Sequence, residues 1–199
     1  MHTPGAVLTP WRGNVSAVAN LFLAGQETGS AWAAVLFGDV APSGRLPVMF
    51  PQTLHDTISP RSGSVPYSEG RFTSYRSPDL KAAFPFGHGL SFTTFAYGEP
   101  RVETSGCRAH ACLRLTVANT GALPGQEVVQ AYLQFPAEAD MPVRVLRGFR
   151  KTRLLQPGDS EEVPFAFDAR DLSSYQAGRG WVPWQGVRVL IGASSADIR

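Results

Sequence analysis

From Leu113 onward the chain alternates apolar and polar residues with a period of two, and this limits the possible folds more than any other feature. Leu113, Leu115 and Val117 alternate with Arg114 and Thr116, and Val129, Ala131, Leu133 and Phe135 alternate with Gln130, Tyr132 and Gln134. Val163, Phe165 and Phe167 follow a Pro157-Gly158-Asp159 turn, and Val187, Val189 and Ile191 complete the set. Successive side chains of a strand point to opposite faces, so each run reads as a strand with one face turned to a core. Asn119-Thr120-Gly121 turns the chain between two of them. Short strands separated by turn signals over roughly 100 residues predict a Greek-key β-sandwich.

Residues before this region follow an α/β pattern. His2 to Leu8 holds a short apolar run ending at Pro10, read as the end of a buried strand. Asn14 can cap a helix whose apolar positions Val15, Val18, Ala19 and Phe22 fall at i, i+3, i+4 and i+7, with Gly25 as its end. A second helix is predicted from about Thr28 to Phe37, with Trp32, Val35 and Leu36 on its buried side and Gly38 as its stop. Pro42-Ser43-Gly44 reads as a turn. Leu46, Val48 and Phe50 then alternate as a strand, which Pro47, lacking a backbone donor, places at a sheet edge or next to an irregularity. One strand–helix–helix–strand piece cannot cover both faces of a parallel sheet. From Gln52 to Leu80 the chain is a polar loop, long for a compact domain, with Tyr67, Phe72 and Tyr75 as aromatic anchors.

Hydrophobic residues make up 43% of the 199 positions and aromatics 11%, which predicts a packed core and excludes global disorder. Basic and acidic residues nearly balance, 18 against 16, and are spread evenly, so no basic stripe is available for nucleic acid or an anionic membrane. No apolar run approaches the roughly 20 residues that span a bilayer. The nearest, Val15 to Ala24, is short and contains Asn20. Cys107 and Cys112 either close a small disulfide loop, as suits a secreted or periplasmic protein, or remain two thiols. Their spacing lacks the companion ligands of a zinc site, His110 is a weak third, and the four histidines show no ligand spacing, so neither metal nor cofactor is expected.

Several motifs in order carry a resemblance. Ala34 to Pro51 (AVLFGDVAPSGRLPVMFP) and Phe84 to Phe95 (FPFGHGLSFTTF) lie among others: Trp11, Gly25-Gln26-Glu27, Tyr67-Ser68-Glu69-Gly70 and Tyr75-Arg76. Together they resemble the C-terminal part of glycoside hydrolase family 3, the β-glucosidase and β-xylosidase group. From Val117 on, NTG, PGQEVVQAYL, LRGFRK, LQPGDSEEVPF, RDLS and VLIGASSADIR resemble the fibronectin type III-like domain that follows in many members. The resemblance implies a partial α/β sandwich domain over residues 1–95, with a wrap-around loop at 52–80, and an all-β, immunoglobulin-like sandwich over 96–199. It also implies that the parent enzyme hydrolyses terminal β-D-glycosides with retention of configuration and no cofactor. Its Asp nucleophile would lie in a preceding (β/α)8 barrel and its Glu acid/base in an upstream loop. No position here matches either motif, so the expected catalytic set of this chain is empty and its expected partner is the upstream barrel and α/β domain, which would also supply the contact with β-glycosides.

Retaining hydrolysis needs two carboxyl groups roughly 5 Å apart, one ionised and one with a raised pKa. Before the sandwich the carboxylates are Glu27, Asp39, Asp56, Glu69 and Asp79. Glu27 stands where a helix begins and Asp39 where one ends, which are structural places. Glu69, Tyr75 and Arg76 offer an acid, a phenol and a guanidinium that either border a sugar site or pin the loop to the sandwich, pinning being favoured. His88 sits between Gly87 and Gly89 in what reads as a tight backbone turn without a phosphate cradle. Trp181 and Trp184 invite a sugar-stacking reading against a core or interface reading. The alternative to an enzyme fragment is a stand-alone, non-catalytic carbohydrate-binding or scaffolding module.

Overall fold

The computed structural model describes residues 1–58 and 63–199. Among them sheet predominates and helix is scarce. The predicted sandwich forms from the alternating runs. Its central strand β5 (Ala111–Asn119) pairs antiparallel with β8 (Ser160–Phe167), Leu115 opposite Val163 and Leu113 opposite Phe165. On the other side of β5 lie β3 (Phe95–Tyr97) and β4 (Arg101–Val102). The facing sheet has the order β12 (Asp197–Ile198), β11 (Arg188–Ser194), β6 (Val128–Gln134), β7 (Val145–Lys151). Between the sheets Leu113, Leu115, Val117, Val163, Phe165 and Phe167 meet Val129, Ala131, Leu133 and Ile191 in one buried cluster. A hairpin of β9 (Ser173–Gln176) and β10 (Gly180–Pro183) stands apart from both sheets. Cys107 and Cys112 form a disulfide just before and at the start of β5, which resolves the alternatives left by the sequence.

One strand departs from simple alternation. Gln130 and Tyr132 of β6, read from the sequence as the polar side, are buried along with Val129, Ala131 and Leu133. The segment 75–89 covers that outer face, so β6 is enclosed on both sides.

Residues 1–58 differ most from expectation. The helix predicted to start after Asn14 is absent: Arg12–Asn14 is a single 3-10 turn, Val15 is already extended at φ −131°, and Leu21 makes an isolated parallel bridge to His2. A short amphipathic helix draws most of its stability from packing of its apolar face. Here that face is covered only in part: Phe22 meets Phe50 edge-on at 6.2 Å and Val18 is half-buried, while Val15 is exposed. The second helix forms as α1 (Thr28–Leu36), and Gly38 leaves it at φ +85°, the left-handed conformation that suits a helix end. Its expected buried side is only partly realised. Trp32 and Val35 are half-buried while Leu36 is exposed, and no residue of the helix is fully buried. The predicted strand from Leu46 shrinks to β1 (Phe50–Pro51), paired with β2 (Ala82–Phe84). Before it, Leu46 donates to the His88 carbonyl and accepts from Gly87 N–H, while Pro47 can donate nothing onward. The loop predicted at 52–80 includes residues 59–62, which lie outside the described residues.

Candidate functional site

The loop that carries Glu69, Tyr75 and Arg76 folds back onto the sandwich. Ser74 adopts φ +54°, unusual for a residue with a side chain, and opens a 3-10 turn over Ser74–Arg76. The turn lays the Tyr75 ring on Phe86, stacked at 4.3 Å, and edge-on to Tyr132 at 6.0 Å. The Tyr75 hydroxyl accepts a hydrogen bond from Leu146 N–H of β7 at 3.1 Å. Upstream, Arg71 donates to the Asp140 carbonyl at 3.1 Å. The side chain of Tyr75 is therefore fully engaged in packing. No hydrogen bond or ion pair among the described residues joins Glu69 to Tyr75 or Arg76, so the three do not form one constellation.

A polar seam binds the first half to the sandwich beside this loop. Arg45 donates to Glu127 Oε1 at 2.6 Å, both side chains are nearly inaccessible, and the same oxygen accepts from Val128 N–H at 2.8 Å. Gln130 donates through Nε2 to the Gly87 carbonyl at 3.0 Å and the Ala193 carbonyl at 2.6 Å, and its Oε1 accepts from the Tyr132 hydroxyl at 2.6 Å. Ser195 N–H donates to the Phe86 carbonyl at 2.9 Å, and the Ser195 carbonyl accepts from Arg144. Gly87 has φ +80°, and a Cβ there would lie 2.0 Å from Gln130 Oε1, so both conformation and contact require glycine. Burial pushes the pKa of Tyr97 well up, with Glu127 adding to the effect. His88 stacks on Phe84 at 6.1 Å. Burial holds its pKa below the ordinary histidine value, and the Arg45 charge adds to this while Asp197 opposes it.

The other candidates have structural surroundings. Asp56 is a buried carboxylate that accepts from Thr53 Oγ1 at 2.7 Å, Thr53 N–H at 3.0 Å and Lys81 N–H at 2.9 Å. The Thr53 hydroxyl and then the Lys81 amide hold its pKa below the usual carboxylate range, while burial opposes them. Glu27 occupies the N-cap position of α1 without a side-chain cap bond. Trp184 donates its indole N–H to Ser174 Oγ at 2.8 Å and packs on the core. Trp181 is half exposed, meets Tyr175 edge-on, and carries the Arg170 guanidinium 4.5 Å above its ring. Among the described residues no group of three His, Cys, Asp or Glu could hold a metal ion, and no helix is long and apolar enough to cross a membrane. The arrangement is thus equipped to hold two parts of a polypeptide in a fixed relation. Sequence reasoning missed Arg45, Glu127, Gln130 and Tyr132 as members of one site. Arg45 and Glu127 stand in motifs that were recognised, but a single sequence carries no signal that charges 82 positions apart are partners.

The family model described as glycosyl hydrolase family 3 C-terminal domain matches residues 1–92, and that described as fibronectin type III-like domain matches residues 127–195. A β-glucosidase of Rhizobium radiobacter is 37% identical over 215 aligned positions, spanning 100% of this chain and 26% of its own length. Thermostable β-glucosidase B of Acetivibrio thermocellus is also 37% identical, spanning 95% of this chain and 27% of its own length. The chain thus spans about a quarter of these relatives' length. Among solved structures, DesR, a β-glucosidase from Streptomyces venezuelae in complex with D-glucose, superposes with a TM-score of 0.87 at 35% identity, covering 98% of this chain and 26% of that one. β-Glucosidase 3B of Thermotoga neapolitana superposes at 0.80 with 39% identity, covering 89% and 26%.

Proposed function

The chain belongs to glycoside hydrolase family 3, matching the C-terminal region of its β-glucosidases, and from that premise we propose that it serves as the C-terminal part of a retaining β-glucosidase-like enzyme. The observation that carries the reading is the pair of family matches in order, at 37% identity to a β-glucosidase along the whole chain. In this reading the nucleophile and the acid/base lie in the upstream polypeptide. That fits a chain in which Asp56 caps a 3-10 turn and Glu127 pairs with Arg45, places that leave neither carboxylate free for the pair that retention needs.

Residues 1–95 then complete an α/β sandwich domain whose other strands come from upstream, and 96–199 form the fibronectin type III-like module. The exposed Leu23, Leu36, Phe37 and Val40 support this, because apolar side chains in such number await a partner surface. The 69–76 loop acts as a docking element, with substrate contacts supplied upstream. A stand-alone carbohydrate-binding role lacks comparable support: Trp184 belongs to the core and Arg170 covers one face of Trp181. The test is complementation. The chain alone should release no nitrophenol from nitrophenyl β-glucoside above background, and adding the upstream part of a family 3 β-glucosidase should give turnover. Turnover by the chain alone that is lost in Glu69→Gln would overturn the reading.

A further inference from the structure

The hairpin of β9 and β10 is fastened on one face and bare on the other. Ser174 is buried and accepts from the Trp184 indole N–H at 2.8 Å, while the Trp184 backbone N–H donates to the Leu172 carbonyl at 3.0 Å. Tyr175, the next residue along β9, points to the opposite face, and Trp181 stands directly across from it on β10. Both rings are exposed. They meet edge-on with centroids 5.8 Å apart, and the Arg170 guanidinium lies 4.5 Å from the centroid over the Trp181 ring. Guanidinium and phenol ring are therefore no farther apart than the sum of those two distances, and the three groups border one accessible surface.

Arg170 is exposed, and its side chain makes no hydrogen bond or ion pair among the described residues. Its neighbour Asp171 uses its carboxylate on Asp168 N–H at 3.0 Å. From Leu172 to Arg188 the chain carries Arg179 and Arg188 and no acidic residue, so the hairpin is positively charged. A guanidinium seated over an indole is attracted by the ring while its N–H donors stay available. Their fork matches the two oxygens of a carboxylate. Arg170 also occupies an indole face on which a neutral sugar would stack, which leaves the Tyr175 ring as the open aromatic surface. A ligand that satisfies both groups carries a carboxylate directly on a flat apolar ring face. A hexuronate has that form, with the carboxylate on C5 and ring C–H groups beside it. An Asp or Glu side chain brings its carboxylate on a flexible stem and has no such face.

We propose that Arg170, Trp181 and Tyr175 form a binding site for hexuronate residues of acidic polysaccharide. Arg170 takes the carboxylate, Tyr175 takes the C–H face, and Trp181 holds the two in register. The site stands on the hairpin alone, whatever the upstream polypeptide does, and it tethers the protein to charged glycan.

The experiment follows the Trp181 indole N–H resonance of the 199-residue chain by NMR, identified by its loss in Trp181→Phe. The titrants are trigalacturonate, cellotriose and triglutamate at equal ionic strength. Trigalacturonate should shift the resonance saturably, with a Kd about tenfold below that for cellotriose, and leave the Trp184 resonance in place. Arg170→Gln should remove the preference for the uronate, and Arg170→Lys should not restore it, because an ammonium lacks the planar fork. Tyr175→Ala should weaken trigalacturonate binding about fivefold. A linear or absent shift at Trp181, or an equal shift at Trp184, would overturn the site, and the wild-type titration decides this even if a variant fails to fold. Triglutamate binding as tightly as trigalacturonate would overturn the sugar as ligand, and an undiminished uronate preference in Arg170→Gln would overturn the role of the guanidinium.

Discussion

At the scale of single residues, the buried ion pair and the half-buried histidine beside it dominate the electrostatics. Removing one member of a buried pair leaves an uncompensated charge, so Arg45→Met is expected to lower stability by about 3 kcal/mol in chemical denaturation. Replacing both partners by apolar residues, Arg45→Met with Glu127→Leu, should recover most of that loss, because neither charge then has to be desolvated. An undiminished loss in the double variant would mean that packing, not charge, carries the effect. For His88 the direction follows from linkage. Its folded pKa lies below the ordinary value of 6.5 because of burial first and Arg45 second. The unfolded chain therefore binds the proton more readily. The His88 contribution is fully present above about pH 6.5 and is lost as pH falls through the depressed folded value. Denaturation midpoints should decline on acidification through that window in the wild type, and more weakly in His88→Gln. Equal slopes in the two proteins would exclude His88 as the source.

At the scale of elements, β5 and β8 could be read from the sequence because one face of each meets the core and the other meets solvent, the situation in which alternation has a single meaning. The alternation in β6 gave the strand but not its surroundings, since Tyr132 and Gln130 look like solvent-facing residues until the covering segment 75–89 is in place. The helix expected after Asn14 has the correct period, yet of its apolar face only Val18 and Phe22 find partial cover, a deficit that no local pattern records. The candidate site was legible only as motifs: Tyr75-Arg76, the glycines around His88 and the PGQEVVQAYL run were each recognisable, their pairing with one another was not. Cutting Leu133 back to Ala on the inner face of β6 should cost about 3 kcal/mol, read from the shift in denaturant midpoint, as for other large-to-small changes in a closed core. A cost below about 1 kcal/mol would mean that the two sheets close over the gap.

At the scale of the whole molecule, stability is unevenly distributed. The sandwich and the seam share one continuous buried region, while Leu36, Phe37 and Leu23 face solvent. Amide exchange should therefore be slow across β5, β6, β8 and the 85–89 turn and fast through residues 11–40, and an apolar dye should bind the native chain. Slow exchange in α1 with no dye binding would contradict the uncovered face. The double enclosure of β6 also bears on anyone who builds chimaeric enzymes by exchanging modules. A cut near residue 96 follows the sequence boundary, yet it runs through a wall shared by two rooms: the donor sandwich arrives with Tyr132 bare and the recipient's turn finds no Gln130 to rest on. Recombination between family members should succeed when the segment from Tyr75 travels with the sandwich, and that heritable block is larger than the β-domain drawn from strands alone.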